Sequence, residues 1–230
     1  MARYTGTTVT TELEAQSNNN TPASGGGNST QNSNPTTNYL GVKHWSNSKV
    51  TDNTCVIGDS WAEGIAPYFA TGDTASGKQL WYIMQHCVPQ NFLHQRYVLY
   101  CGLNDIIDPY HREVIKDHKG RPAVSYPAFT ESLIDLCSRF DNYTNRQKHL
   151  YVCTFPRLKF PSGYNACITQ QRLNNLNQAI ISTVRTTVSS YNNTHVIIVP
   201  DEISTNNLDN SGYHLKSYKT LAQYINSKFT

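Results

Sequence analysis

From about residue 39 onward the chain alternates short apolar runs with longer amphipathic stretches. Five runs have strand length: TCVIGDS at 54–60, LWYIMQH at 80–86, YVLYCG at 97–102, HLYVCTF at 149–155 and HVIIVP at 195–200. They are nearly continuous rather than alternating, which predicts strands of a parallel sheet covered on both faces. Between and after them lie segments with helical spacing. Residues 129–140 place Leu133, Leu136, Cys137 and Phe140 on one stripe, and 169–188 place Leu173, Leu176, Ile180 and Val184 on another. The last segment, 217–229, carries Leu221, Tyr224, Ile225 and Phe229. Strands alternating with helices predict an α/β sandwich built on a parallel sheet. In such sheets ligands bind beyond the carboxyl ends of the strands. Ser60 and Asn104 both fall at such ends.

The first 38 residues have a different texture, rich in Thr, Ser, Asn and Gly. Such a stretch buries too little apolar surface to offset the entropy of ordering it. It reads as a flexible tether, either a plain disordered tail or an arm joining the domain at 39–230 to a larger assembly. A polar insertion at 106–128 follows the third strand and is placed to shape the acceptor side of a site. The net charge of +3 argues against a dedicated nucleic-acid binder. There is no apolar run of transmembrane length and no apolar signal core near Met1, which leaves the cellular location open. Of six cysteines, Cys55, Cys101 and Cys153 sit inside strand-like runs, while Cys87, Cys137 and Cys167 are scattered. With no CxxC and no Cys/His ligand spacing, free thiols are expected rather than disulfides or a zinc site.

Three short stretches carry candidate chemistry. Gly58-Asp59-Ser60 ends the first predicted strand and opens a helix, so Ser60 faces either a role as nucleophile or the common role of helix N-cap. Gly102-Leu103-Asn104-Asp105 ends the third strand. Gly102 allows close backbone approach, and Asn104 projects an amide suited to an oxyanion, although Asn-Asp is also ordinary turn chemistry. His214 lies after the final strand and before the last helix, where it can face the same crevice.

Taken together, in this order and over roughly residues 50–228, these stretches resemble the SGNH, or GDSL, hydrolases. The resemblance implies a flavodoxin-like three-layer α/β/α sandwich with a five-stranded parallel sheet. It also implies ester hydrolysis without metal or cofactor, with Ser60 as nucleophile, Asn104 as oxyanion donor and His214 as base. Two departures stand out. The family's second block supplies a glycine whose N–H joins the oxyanion hole, and after the run at 80–86 no glycine follows, so the slot falls to Cys87. The family's last block is Asp-x-x-His, and here Ser211 stands three before His214 while Asp209 stands five before. A turn over 209–212 can fold Asp209 back to the imidazole. Alternatively Asp209 caps its own turn, and His214 is held by a backbone carbonyl, Asp201 or Glu202. The expected substrate is a small acyl ester, acetyl foremost, such as one carried on a glycan. Trp61, Trp81, Tyr82, Tyr110 and Tyr213 are candidates for stacking on a sugar ring. The competing expectation is a non-catalytic binding or structural module that keeps the fold.

Overall fold

The computed structural model describes residues 34–89, 91–106, 126–160, 169–187 and 193–229. Residues 1–33 of the predicted tether, most of the 106–128 insertion (with Tyr110) and Cys167 lie outside the described residues.

Seven strands form one sheet: β1 (Thr36–Thr37), β2 (Lys43–Ser46), β3 (Thr54–Gly58), β4 (Thr71–Thr74), β5 (Arg96–Tyr100), β6 (His149–Cys153) and β7 (Thr194–Ile197). Their order is β1-β2-β4-β3-β5-β6-β7. The five from β4 to β7 pair in parallel, while β2 and β1 add an antiparallel edge beyond β4. The parallel part has the 2-1-3-4-5 order of flavodoxin-like folds, with its topological switch point between β3 and β5. The sheet therefore begins at Thr36, within the stretch whose composition reads as tether.

Helix α1 (Ser60–Ile65) follows β3, α2 (Leu80–His86) follows β4, α3 (Tyr126–Thr144) follows β5, α4 (Gln170–Ser182) follows β6 and α5 (Lys219–Asn226) closes the chain. α1 packs with α5, and α3 with both α2 and α4, so helices cover both faces of the sheet. β3 is buried along its whole length, and β5 and β6 are buried after their first residue. Thr169 starts α4 as a side-chain cap, its Oγ1 accepting from Arg172 N at 3.2 Å. The five described cysteines, Cys55, Cys87, Cys101, Cys137 and Cys153, are free and buried.

One element corrects the sequence reading. Residues 80–86, expected as the second strand, are helix α2. Leu80, Ile83, Met84 and Cys87 are the buried positions, a helical spacing hidden in a dense apolar run. The Asp105 carboxylate also holds the first turn, accepting Leu80 N at 3.1 and 3.2 Å. The true second parallel strand is β4, Thr-Gly-Asp-Thr, which has no large apolar side chain to announce it. Its Gly72 packs so closely that a Cβ there would lie 3.1 Å from both Ala66 Cβ and Val56 O.

The tightest backbone contact in the core of the sheet is at the end of β3. Gly58 has φ +150°, and a Cβ on it would fall 2.1 Å from Tyr100 O. Gly58→Ala is expected to destabilise the protein by more than about 2 kcal/mol, because rigid backbone must move to admit the methyl. Urea unfolding of the variant beside wild type checks it, and an unchanged midpoint would refute the close approach.

Candidate active site

The site is built where β3 and β5 end side by side. Asp59 N donates to Tyr100 O at 3.2 Å, joining the two tips. Asp59, not Ser60, is the N-cap of α1, its Oδ1 accepting Trp61 N at 2.9 Å. Ser60 becomes the first residue of the helix, half-buried, with its hydroxyl released from capping. On the neighbouring strand Gly102 adopts φ +127°, in a space where a Cβ would lie 2.9 Å from the Phe129 ring. The chain then makes a short 3₁₀ turn, Leu103–Asp105. Asn104 is buried and donates from Nδ2 to Asp59 Oδ2 at 3.1 Å. An amide carries two N–H bonds, so one fixes the side chain and the second remains for a ligand.

Burial pushes the Asp59 carboxyl up to about 7, against the downward pull of the Trp61 N–H, the Asn104 amide and the Gly102 N–H. Burial likewise raises Asp105 well above the usual carboxylate range. Asp59 thus sits at the junction of both strand tips as a carboxyl that takes up a proton near neutrality.

His214 lies on the loop between β7 and α5. An isolated antiparallel bridge pairs Leu208 with Leu215, and Asp209 N donates to His214 O at 2.9 Å. Trp61 Nε1 donates to Tyr213 O at 3.1 Å, tying this loop to α1. The imidazole stands 6.1 Å from the Trp61 ring, centroid to centroid. Its Nδ1 meets Tyr218 Oη at 2.8 Å. Burial lowers the His214 pKa, partly offset by the carboxylates of Asp209 and Glu63. Among the described residues no hydrogen bond joins Ser60 Oγ to the His214 ring, an open geometry of the kind that tightens when substrate binds.

The acid does not reach the imidazole. Asp209 Oδ1 accepts from Ser211 N at 2.9 Å, from Gly212 N at 3.1 Å and from the Ser211 hydroxyl. This is the self-capping alternative, in which a short carboxylate closes its own turn. Burial works to raise the Asp209 carboxyl, but the Ser211 hydrogen bonds, followed by the charge and backbone N–H of His214, outweigh it and hold it below its ordinary value. Asp201 instead accepts Arg157 N at 2.8 Å, and Glu202 is exposed. Tyr218, which no sequence signal singled out, occupies the place expected of an acid.

Cys87 is also displaced from its expected role. It caps the C-terminus of α2, where its N–H donates to Ile83 O at 2.8 Å. With β4 as the second strand, the stretch that follows is Ala75-Ser76-Gly77, and Ala75 N donates to Gly58 O at 2.9 Å beside the Ser60 turn. That stretch contains a glycine, Gly77, at φ +73°. The stacking candidates divide as well. Trp61 is fully buried against Tyr100 and Phe155, and so belongs to the core. Tyr82 donates to Leu40 O at 2.7 Å and Trp81 Nε1 to Gln79 Oε1 at 3.1 Å. Tyr213, half-buried beside Phe160, stands next to His214.

No protein-family model and no curated protein sequence matches the chain. Solved structures do. An acetyl xylan esterase superposes with a TM-score of 0.55 at 14% identity, covering 77% of this chain and 99% of that one. A GDSL-like lipase from Bacteroides thetaiotaomicron gives 0.54 at 12%, covering 76% and 86%. An acetylxylan esterase from Geobacillus stearothermophilus gives 0.53 at 11%, covering 79% and 96%. The chain thus has the three-layer α/β/α fold of GDSL-like hydrolases.

The perturbed carboxyl has a consequence for stability. Asp59 holds its proton up to about pH 7 when folded, but only to about 3.9 when unfolded. Its contribution to stability is therefore full below about pH 4 and is lost as pH rises to about 7. Asp59→Asn keeps a good cap and removes the titration. The stability of the variant relative to wild type should rise between pH 4 and 7 and level off above. A difference independent of pH, from urea unfolding at several pH values, would show an unperturbed carboxyl.

Proposed function

We propose that the chain is a serine esterase that hydrolyses small acyl esters, acetyl foremost, on a carbohydrate through an acyl-enzyme. The observation that carries this reading is the bond from Asn104 Nδ2 to the carboxyl of Asp59, the residue before Ser60, at the switch point of the sheet. Ser60 Oγ attacks the ester carbonyl and passes its proton to His214 Nε2. The oxyanion that forms is stabilised by the second N–H of Asn104 and the backbone N–H of Ser60. Collapse breaks the ester C–O bond, and the leaving alcohol takes the proton back from His214. Water, activated by the same imidazole, then attacks the acyl-serine and releases the acid.

The carbohydrate preference is supported by two of the structures with this fold, which are acetyl xylan esterases. A second reading, a binding module that retains the fold, is favoured by the open Ser60–His214 geometry. A fluorophosphonate probe separates the two, since only an activated serine labels efficiently. The substrate class is read from a panel of acetyl, butyryl and longer p-nitrophenyl esters run beside acetylated glycans.

Ser60→Ala should abolish both labelling and ester hydrolysis with little change in melting temperature; undiminished turnover would remove Ser60 from the reaction. Asn104→Ala should lower kcat by about 10²–10³ with a smaller change in KM, as for loss of one oxyanion donor. A raised KM with normal kcat would make Asn104 a substrate-binding residue instead.

A further inference from the structure

Tyr218 is placed by contacts that fix its ring and aim its hydroxyl. The ring lies flat on α1 at Gly64, where a Cβ would come within 2.6 Å of three ring atoms. It meets the Trp61 ring edge-on at 5.6 Å. Its Oη stands 2.8 Å from His214 Nδ1, and the Leu215 backbone N–H favours negative charge on the same oxygen. The glycine inside α1, an unfavourable helix residue, is explained by this seat.

The alternative partner is held elsewhere. Among the described residues Asp209 makes no hydrogen bond to the imidazole, its Oδ1 closing its own turn, and that turn is clamped. Gly212, at φ +73°, lies against Lys159, whose N donates to Gly212 O at 3.2 Å; a Cβ on Gly212 would fall 1.8 Å from Lys159 O. The same turn is closed by the bonds of Asp209 Oδ1 to Ser211 and Gly212.

We propose that Tyr218 takes the place of the orienting acid, its phenol oxygen accepting the Nδ1 proton of His214. The inference rests on the esterase reading for its catalytic consequence. A base must present a lone pair at Nε2, so the neutral imidazole must carry its proton at Nδ1. An acceptor at Nδ1 selects that tautomer, and the Leu215 N–H reinforces the acceptor role of the oxygen. When Ser60 gives up its proton it goes to Nε2. Nδ1 keeps its own, still donated to Tyr218, and the phenol proton stays on the phenol throughout. Burial raises the Tyr218 pKa far above neutrality, so the hydroxyl is not ionised in this step. Tyr218 is a positioning residue: it orients the base and fixes its tautomer, and it supplies no countercharge to the imidazolium.

The test reads the tautomer directly, by ¹⁵N NMR of the His214 ring in the resting full-length protein above the pKa of the imidazole, with His214→Gln to assign the signals. Nδ1 protonated and Nε2 bare in wild type supports the proposal; Nε2 protonated overturns it. Tyr218→Phe keeps the ring on Gly64 and removes the acceptor. It should shift the population toward the Nε2–H tautomer and lower kcat for p-nitrophenyl acetate about tenfold or more, with KM little changed. The loss should fall short of the ~10⁴ seen when a charged orienting aspartate is neutralised. Asp209→Asn should leave the tautomer in place and cost less activity than Tyr218→Phe. If Asp209→Asn instead moves the tautomer and Tyr218→Phe does not, the carboxylate is the orienting group and the proposal falls. Failure of the esterase reading shows separately, as a wild-type protein that neither labels with fluorophosphonate nor turns over any ester, whatever its ring nitrogens report.

Discussion

The constraint on which the site depends is the buried carboxyl of Asp59. It accepts from Trp61 N and from Asn104 Nδ2, and the Gly102 N–H adds to them, so groups from the ends of two parallel strands converge on three atoms. A carboxylate removed from water is costly unless its lone pairs are met. Three donors meet them here, and burial still lifts the group to about 7. The backbone can close around it only because Gly58 lacks a Cβ at its approach to Tyr100 O.

Trp61 extends that rigidity to the histidine loop. Its ring is wedged among Tyr100, Phe155, His214 and Tyr218, and its indole N–H holds the Tyr213 carbonyl. The residue after Ser60 therefore fixes the loop that carries His214, from a fully buried position. Phe155 is anchored in turn by Asn177, whose amide accepts Phe155 N at 2.9 Å and donates to Phe155 O at 2.8 Å.

Much of this architecture was legible in the chain. The runs that became β3, β5 and β6 are apolar because they are interior parallel strands, β7 carries its apolar run at the edge beside β6, and α3, α4 and α5 keep a clear apolar stripe. The strand that escaped notice, β4, is built from Thr, Gly, Asp and Thr because Ala66 and the β3 backbone press on it too closely for larger side chains. Its loss shifted the second strand onto α2 and moved the search for a glycine from Gly77 to Cys87. The spacing of Leu80, Ile83, Met84 and Cys87 could have corrected this, but in a run so dense in apolar residues one turn of periodicity is easily masked. Ser60, Asn104 and His214 stand out in the sequence as candidates because each lies at a strand or helix boundary. Tyr218 does not, because nothing in sequence marks a tyrosine four residues after a histidine at the start of a helix as its partner.

The two irregularities of the histidine loop have one physical origin. Lengthening the interval between acid and histidine gives Asp209 enough chain to close a turn on itself, and a carboxylate oxygen that accepts two backbone N–H groups and a hydroxyl is satisfied without the imidazole. The Nδ1 position is then left to the nearest group that can be brought beneath it. Tyr218, the N-cap of α5, lies four residues beyond His214 along the loop, and its phenol spans the gap to Nδ1. That reach needs a flat surface under the ring, which Gly64 supplies at the expense of helix propensity. Gly64, Tyr218 and the Asp209–Gly212 turn thus form a linked set. A carboxylate restored three residues before the histidine would compete with the phenol for one ring nitrogen, so the acid and the tyrosine are alternatives rather than additions. A neutral partner at Nδ1 leaves the charges of Asp209 and Glu63 as the groups that favour the imidazolium against burial.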